Sequence, residues 1–216
     1  MAAVYEDRGT GFGEDKADHP GVLHGEKLMK TAYKMFNEDL TCTHGRGTFQ
    51  YEPGKWYETD EANCARNGFH CAMNPLDCMN YYPRWDTSQC WLVAVDGDID
   101  EDGTDTKISA TKIKLIRRLD LKEFVTHALA YIVTHPHLEM NQRVKRDSAV
   151  ADETDKFLIV RGKDPVAAGT SIGQYIALMQ EEPITDTIAE AGLFYVDGKE
   201  IKTEVFYDVE GRSRRC

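Results

Sequence analysis

Six cysteines and seven histidines are the side chains in this chain that could hold a soft metal. Cys42 and His44 come first, then Cys64, His70, Cys71 and Cys78, with Cys90 further on. Zinc takes about four thiolate or imidazole ligands in a tetrahedral shell, usually supplied as closely spaced pairs. Only Cys42-Thr43-His44 and the adjacent His70-Cys71 are close; Cys64, Cys71 and Cys78 follow one another at intervals of seven, a poor knuckle. The preferred reading is buried free thiols, which pack as small hydrophobes, as Cys90 beside Trp91 suggests. Zinc on Cys42, His44, Cys64, His70, Cys71 and Cys78 is the alternative.

A second candidate is acidic. Asp98, Asp100 and Asp102 with Gly103 follow the first half of a calcium loop, in which alternate carboxylates face the ion and glycine makes the bend. Asp105 could extend it. The loop's last position falls on Ser109, where a bidentate glutamate is needed. A solvated hairpin turn is therefore expected, with weak calcium binding as the alternative. His127, His135 and His137 sit on or after a helix, where a cation is favoured by the helix dipole, so a structural role is expected for them.

The third candidate is Gly68-Phe69-His70, followed by Asn74-Pro75-Leu76-Asp77-Cys78 and then Tyr81-Tyr82. It reads as strand, turn and helix. Asn74 is the cap, Pro75 stands where its missing N–H does no harm, and the two tyrosines fall in the last turn. Core packing alone would account for every one of these residues.

The elements that must position these groups alternate short apolar runs with turn signals from Tyr33 onward, which predicts strands. Gln89–Val95 reads as a buried strand ended by an Asp96-Gly97 turn. Lys107–Leu115 reads as a strand whose phase slips near Thr111, as at a bulge or a strand end. Asp120 with Glu123 predicts a capped helix through Phe124, Val125, Ala128, Leu129, Ile132 and Val133, stopping before Pro136. Further on, a strand at Phe157–Val160 precedes a helix through Ile172, Tyr175, Ile176 and Met179. A short helix capped by Thr185 or Asp186 follows, then a hairpin across Asp197-Gly198.

The expected fold class is α+β: a β-rich N-terminal module with two or more helices, then a small α/β unit ending in a β-hairpin. Residues 1–24 are expected to be a flexible or extended arm, 25–140 the module, 141–156 a linker or exposed loop, 157–210 the α/β unit and 211–216 a tail.

A chain of 216 residues can bury a core without disulfides, and cysteines without an export signal read as reduced thiols. A net charge of −11 excludes broad binding to nucleic-acid phosphates, which needs a basic stripe. No apolar run is long enough for a membrane helix, and the N-terminus lacks the pattern of a signal peptide.

Several of these segments together resemble a phage and prophage domain family of unknown function. The resemblance is carried by Tyr33-Lys34-x-Phe36, Phe49-Gln50-Tyr51-Glu52-x-Gly54-Lys55, Gly68-Phe69-His70-x, Asn74-Pro75-Leu76-Asp77 running to Tyr81-Tyr82, the turn Gly97–Asp100, and Lys112-Ile113-Lys114. It covers roughly residues 30 to 130 and implies phage or prophage origin, in the host-cell cytoplasm or the virion, without implying an activity. A weaker analogy is with mono-ADP-ribosyltransferase-like folds. It implies that Tyr33, Gly68, His70 and Tyr82 line a nicotinamide pocket for NAD. The late glutamate of such enzymes has no counterpart in Cys90–Val95, so Glu123 or Asp98 would have to serve.

The leading expectation is a protein that acts through protein–protein contacts or self-association, as a virion accessory or host-directed factor. Trp56, Tyr57, Tyr82 and Trp85 are the aromatic anchors for such contacts. An NAD-using transferase and a zinc-stabilised binding module are the alternatives.

Overall fold

A computed structural model describes residues 29–43, 47–101, 103, 105–138 and 141–215. The expected N-terminal arm, His44, Asp102 and Cys216 lie outside the described residues.

Seven strands make up the first part of the chain: β1 (Lys30–Asn37), β2 (Thr41–Cys42), β3 (Phe49–Gln50), β4 (Trp56–Glu58), β5 (Phe69–Ala72), β6 (Ser88–Glu101) and β7 (Lys107–Leu119). The helical turn α1 (Pro75–Cys78) follows β5, and α2 (Leu121–Thr134) follows β7. β1 pairs with β5 and β6, and β7 pairs with β5 and β6, all antiparallel. The four strands thereby close into a small barrel, with β4 added outside on β7 and the β2–β3 ladder separate.

Alternation along β1 decides which side chains enter the barrel. Successive side chains of a strand point to opposite faces. Ala32 and Phe36 join an inner cluster with Phe69, Cys71, Val93, Ile108 and Ile113. Met35 joins the outer cluster with α1 and α2.

β6 runs six residues past the expected end, and Asp96-Gly97 is a bulge within it rather than a turn. Gly97 and Asp98 together oppose Thr111, between the register pairs Asp96↔Lys112 and Ile99↔Ala110. Gly97 has φ +77°, and the Asp98 N–H donates to Thr111 Oγ1 at 2.9 Å. The expected phase slip at Thr111 is this bulge, with the inserted residue on the partner strand.

The second part of the chain holds β8 (Val144–Val150), β9 (Phe157–Ala168), β10 (Tyr175–Glu181), β11 (Ile188–Tyr195), β12 (Phe206–Tyr207) and β13 (Ser213–Arg214). β8, β9 and β10 are parallel neighbours; β11 is antiparallel on β10, and β12 is antiparallel on β9. Among the described residues, strand makes up 48% and helix 12%, which corrects the expected α+β class to a β-dominated fold.

The misreadings behind that correction have separate causes. Ile176-Ala177-Leu178-Met179 is buried on both faces: Ile176 and Leu178 enter one cluster, Ala177 and Met179 another. A doubly covered strand shows an unbroken apolar run, which periodicity cannot tell from a buried helix. The expected helix capped near Thr185 is β11, reached by a turn in which Glu182 N–H donates to Thr187 O at 2.8 Å. The expected hairpin across Asp197-Gly198 is absent: no strand follows β11 until Phe206. The Asp197 carboxylate instead accepts from the N–H groups of Lys199, Glu200 and Ile201. Within 141–156, read as linker or exposed loop, Val144–Val150 forms β8.

α2 begins as expected. Asp120 accepts from Glu123 N–H at 2.8 Å, and Glu123 accepts from Asp120 N–H at 3.0 Å, a reciprocal capping box. Its buried face, Phe124, Val125, Ala128, Leu129 and Ile132, packs in one cluster with Met35, Leu76 and Met79 and also with Val144, Ile159, Ala177 and Met179. Each large apolar side chain buried there stabilises by roughly 1.5–3 kcal/mol. The outer face of the barrel and the second sheet therefore share a core through this helix.

Candidate functional site

A cleft of about 520 Å³ opens at one side of the barrel, within the ordinary size range of small-molecule sites. Six separate segments reach it: Lys34 and Met35 from β1, Cys42 from β2, Gly47 to Tyr51 around β3, Ala65 to Ala72 around β5, Asp77 to Tyr82 in and after α1, and Lys107 from β7. These are the segments that the sequence singled out at scattered positions.

Lys34 is the cleft's least expected member. It lies between Ala32 and Phe36 in an alternating strand, so it enters the barrel interior. Only 6% of it is exposed. Its ammonium donates to the His70 carbonyl oxygen at 2.6 Å and lies 5.4 Å and 5.6 Å from the ring centres of Phe36 and Tyr51. Among the described residues no carboxylate is within ion-pair distance of it. Its signal in the sequence is a charge at an inward position of Tyr33-Lys34-Met35-Phe36.

Gly68 sets the close approach of the cleft wall. Its φ is +86°, and a Cβ there would lie 2.3 Å from Ser109 Oγ and 2.9 Å from Ala62 Cα. Ser109 Oγ itself donates to Asn67 O at 2.6 Å. The chain then enters β5, where His70 Nε2 accepts from Ala65 N–H at 2.9 Å. That bond places the proton of a neutral His70 ring on Nδ1.

α1 supplies the opposite wall. Asn74 caps it by accepting from Leu76 N–H, and Pro75 takes its first position. It ends at Cys78, so Tyr81 and Tyr82 follow the helix rather than occupying its last turn. Tyr82 OH donates to Cys42 Sγ at 3.3 Å, and Lys107 Nζ donates to Tyr81 OH at 2.9 Å. Asp77 accepts from Thr106 N–H and Oγ1–H and from Asn141 Nδ2, which occupies both of its oxygens. The aromatic rim is built from edge-to-face pairs, Phe49 on Tyr51 at 4.7 Å and Phe36 on Tyr51 at 5.0 Å. Phe49 remains 45% exposed at the mouth.

Burial pushes the Cys71 thiol up to about 12 despite the pull of Lys34, and burial raises Cys78 and Cys90 well above the ordinary thiol value. Burial likewise raises the phenols of Tyr51 and Tyr82. A cysteine must lose its proton to bind zinc. Among the described residues no group of three or more Cys, His, Asp or Glu side chains is arranged to hold a metal ion. Cys42, Cys64, Cys71, Cys78 and Cys90 carry thiols, with Cys71, Cys78 and Cys90 buried.

The remaining candidates separate. Gly68, His70 and Tyr82 line the cleft, whereas Tyr33 points the other way and hydrogen-bonds His127 Nδ1 at 2.9 Å. Glu123 is engaged by Arg117 and by the cap of α2, away from the cleft. Asp98 and Asp100 stay in the paired strand β6, and Asp100 accepts from Cys64 N–H at 2.7 Å. Of the expected anchors, Trp85 packs on Phe124 and Trp56 carries Lys114 over its ring at 6.0 Å.

Among the described residues, no helix is long and apolar enough to cross a membrane. No curated protein and no solved structure matches the chain. Residues 30–127, which hold the barrel, the cleft and the first half of α2, match the family described as a domain of unknown function (DUF7666).

Proposed function

We propose that this is a binding protein whose barrel cleft takes a small organic ligand. The observation that carries the reading is convergence: six separate segments meet around one cleft lined by aromatic rings and a few polar groups. Such a lining is what small-molecule sites use, apolar surface for affinity and sparse polar groups for orientation. The sequence resemblance adds a phage or prophage origin to this reading, and with it a role inside the host cell or the virion.

The test is a fragment screen on the full chain, read in amide NMR spectra. Shifts should gather at Tyr51 and Gly68–Ala72. Shifts scattered over β9 to β11 with none at the cleft would overturn the reading.

NAD is a second, narrower reading of the occupant, favoured by Gly68, His70 and Tyr82 all lining the same cleft. Titration with NAD should then move the same amides, and a flat titration removes NAD. The protein–protein reading has its own support in exposed apolar side chains on the second part of the chain, Ile172 at 67% and Ile184 at 89%. Self-association that is lost on changing either to Ser would favour it.

A further inference from the structure

We infer that the occupant of the cleft is a small organic acid, held by its anionic head on Lys34 with its body against Phe49 and Tyr51. The inference rests on the cleft being a ligand site and adds the chemical class of the ligand.

An ammonium carries three donors. Lys34 spends one on the His70 carbonyl and turns ring faces to the rest of its surroundings. A buried cation is costly unless it is paired or well hydrogen-bonded. Here the pairing partner is missing among the described residues, while the charge borders an open cleft. An arriving carboxylate or phosphate would supply the two remaining acceptors and the counter-charge together. Charge-assisted hydrogen bonds of this kind are about twice as strong as neutral ones.

The surrounding charge agrees. Among the described residues, the cleft is lined by Lys34, Arg66 and Lys107 and by one carboxylate, Asp77, in a chain whose net charge is −11. Asp77 is already satisfied by Thr106 and Asn141, so it does not compensate Lys34 through a direct contact. A local excess of positive charge in an acidic protein draws anions to that spot and away from the rest of the surface. Phe49 and Tyr51, which both line the cleft, then offer aromatic surface to a planar body, which a bare inorganic anion would leave unused.

Three probes of one shape separate the ideas: benzoate, phenyl phosphate and its neutral relative benzamide, titrated into the full chain by NMR. The two anions should bind on the order of tenfold tighter than benzamide, with shifts at His70 and Cys71. Lys34→Met should erase that preference and Lys34→Arg should keep it. Which anion binds tighter distinguishes a carboxylate ligand from a phosphate one. Equal binding of benzamide and the anions at the cleft would overturn the acid inference and leave the ligand site standing. Binding of none of the three would overturn both. If Lys34→Met does not fold, the wild-type comparison of anion with amide and the retention in Lys34→Arg still decide it.

Discussion

Lys34 on β1 reaches past its own ladder to donate to the carbonyl oxygen of His70 on β5. The two strands share a single register pair, Tyr33 opposite Ala72. The side chain therefore fastens the weakest seam of the barrel while holding a charge at the edge of the cleft.

That double role gives the first prediction. Lys34→Ala should destabilise the fold by about 1–3 kcal/mol, the cost of losing a buried charge-assisted hydrogen bond. Lys34→Met should cost less, because it keeps the packed stem and removes the buried charge. Urea unfolding of the three proteins checks the order, and a Met variant less stable than the Ala variant would contradict it.

Gly68 and Gly54 separate backbone strain from crowding. Both have positive φ, +86° and +78°, but a Cβ at Gly54 meets nothing within 4 Å. Gly54→Ala should cost roughly 1–2 kcal/mol for the left-handed backbone alone. Gly68→Ala should cost clearly more and weaken ligand binding, because Ala62 backbone must move. Thermal melts of the two variants side by side measure the difference.

The capping box of α2 is local and can be tested locally. Asp120→Ala should lose about 1 kcal/mol, and Asp120→Asn should keep most of it, since the amide oxygen can still accept from Glu123 N–H. Equal losses in the two variants would mean that the cap matters through its charge rather than its hydrogen bond.

Acid should unfold the second part of the chain through Glu181 and Asp208. Burial by itself would raise both carboxyls. Hydrogen bonds from Arg146 and Arg161 to Glu181, and from the N–H groups of Glu210 and Arg212 and the Arg212 side chain to Asp208, outweigh it and hold both below 4.5 and 3.8, their ordinary values. A carboxylate whose folded value is depressed stabilises the protein above its unfolded value and loses that contribution as pH falls through the folded one. Stability should be flat near neutrality and fall below about pH 4.5. Glu181→Gln should remove part of this acid dependence and cost roughly 3–5 kcal/mol at neutral pH, because Arg161 is left buried without its counter-charge. A pH series of melts on both proteins checks it.

Thiol labelling should follow burial. In the native protein at pH 8, Cys42 and Cys64 should react with iodoacetamide and Cys71, Cys78 and Cys90 should resist until denaturant is added. Peptide mass mapping reads each site. Ready native labelling of Cys71 would mean that the barrel interior opens.

What was legible in the residues alone is what short-range chemistry sets. Asp120 with Glu123, and Asn74 with Pro75, start their helices through contacts two or three residues away, and both starts are present in the structure. The alternation of Lys107–Leu115 is legible because one face of β7 is covered more fully than the other. The segments Gly68–Cys71 and Asp77–Tyr82 could be picked out as unusual before any contact between them was known.

Tertiary structure decided the rest. Tyr175–Glu181 became a strand because β9 and β11 flank it and clusters cover both its faces, an environment that no local period encodes. Asp197-Gly198 opens no hairpin: its carboxylate gathers the N–H groups of Lys199, Glu200 and Ile201, and no strand forms before Phe206. The cleft exists only because β1 and β5 close the barrel, and that closure alone turned Lys34 from a charge in a strand into a buried ammonium facing a cavity. Residue types and spacing carry short-range preferences; which charge is buried, and against what, depends on contacts between segments far apart in the chain.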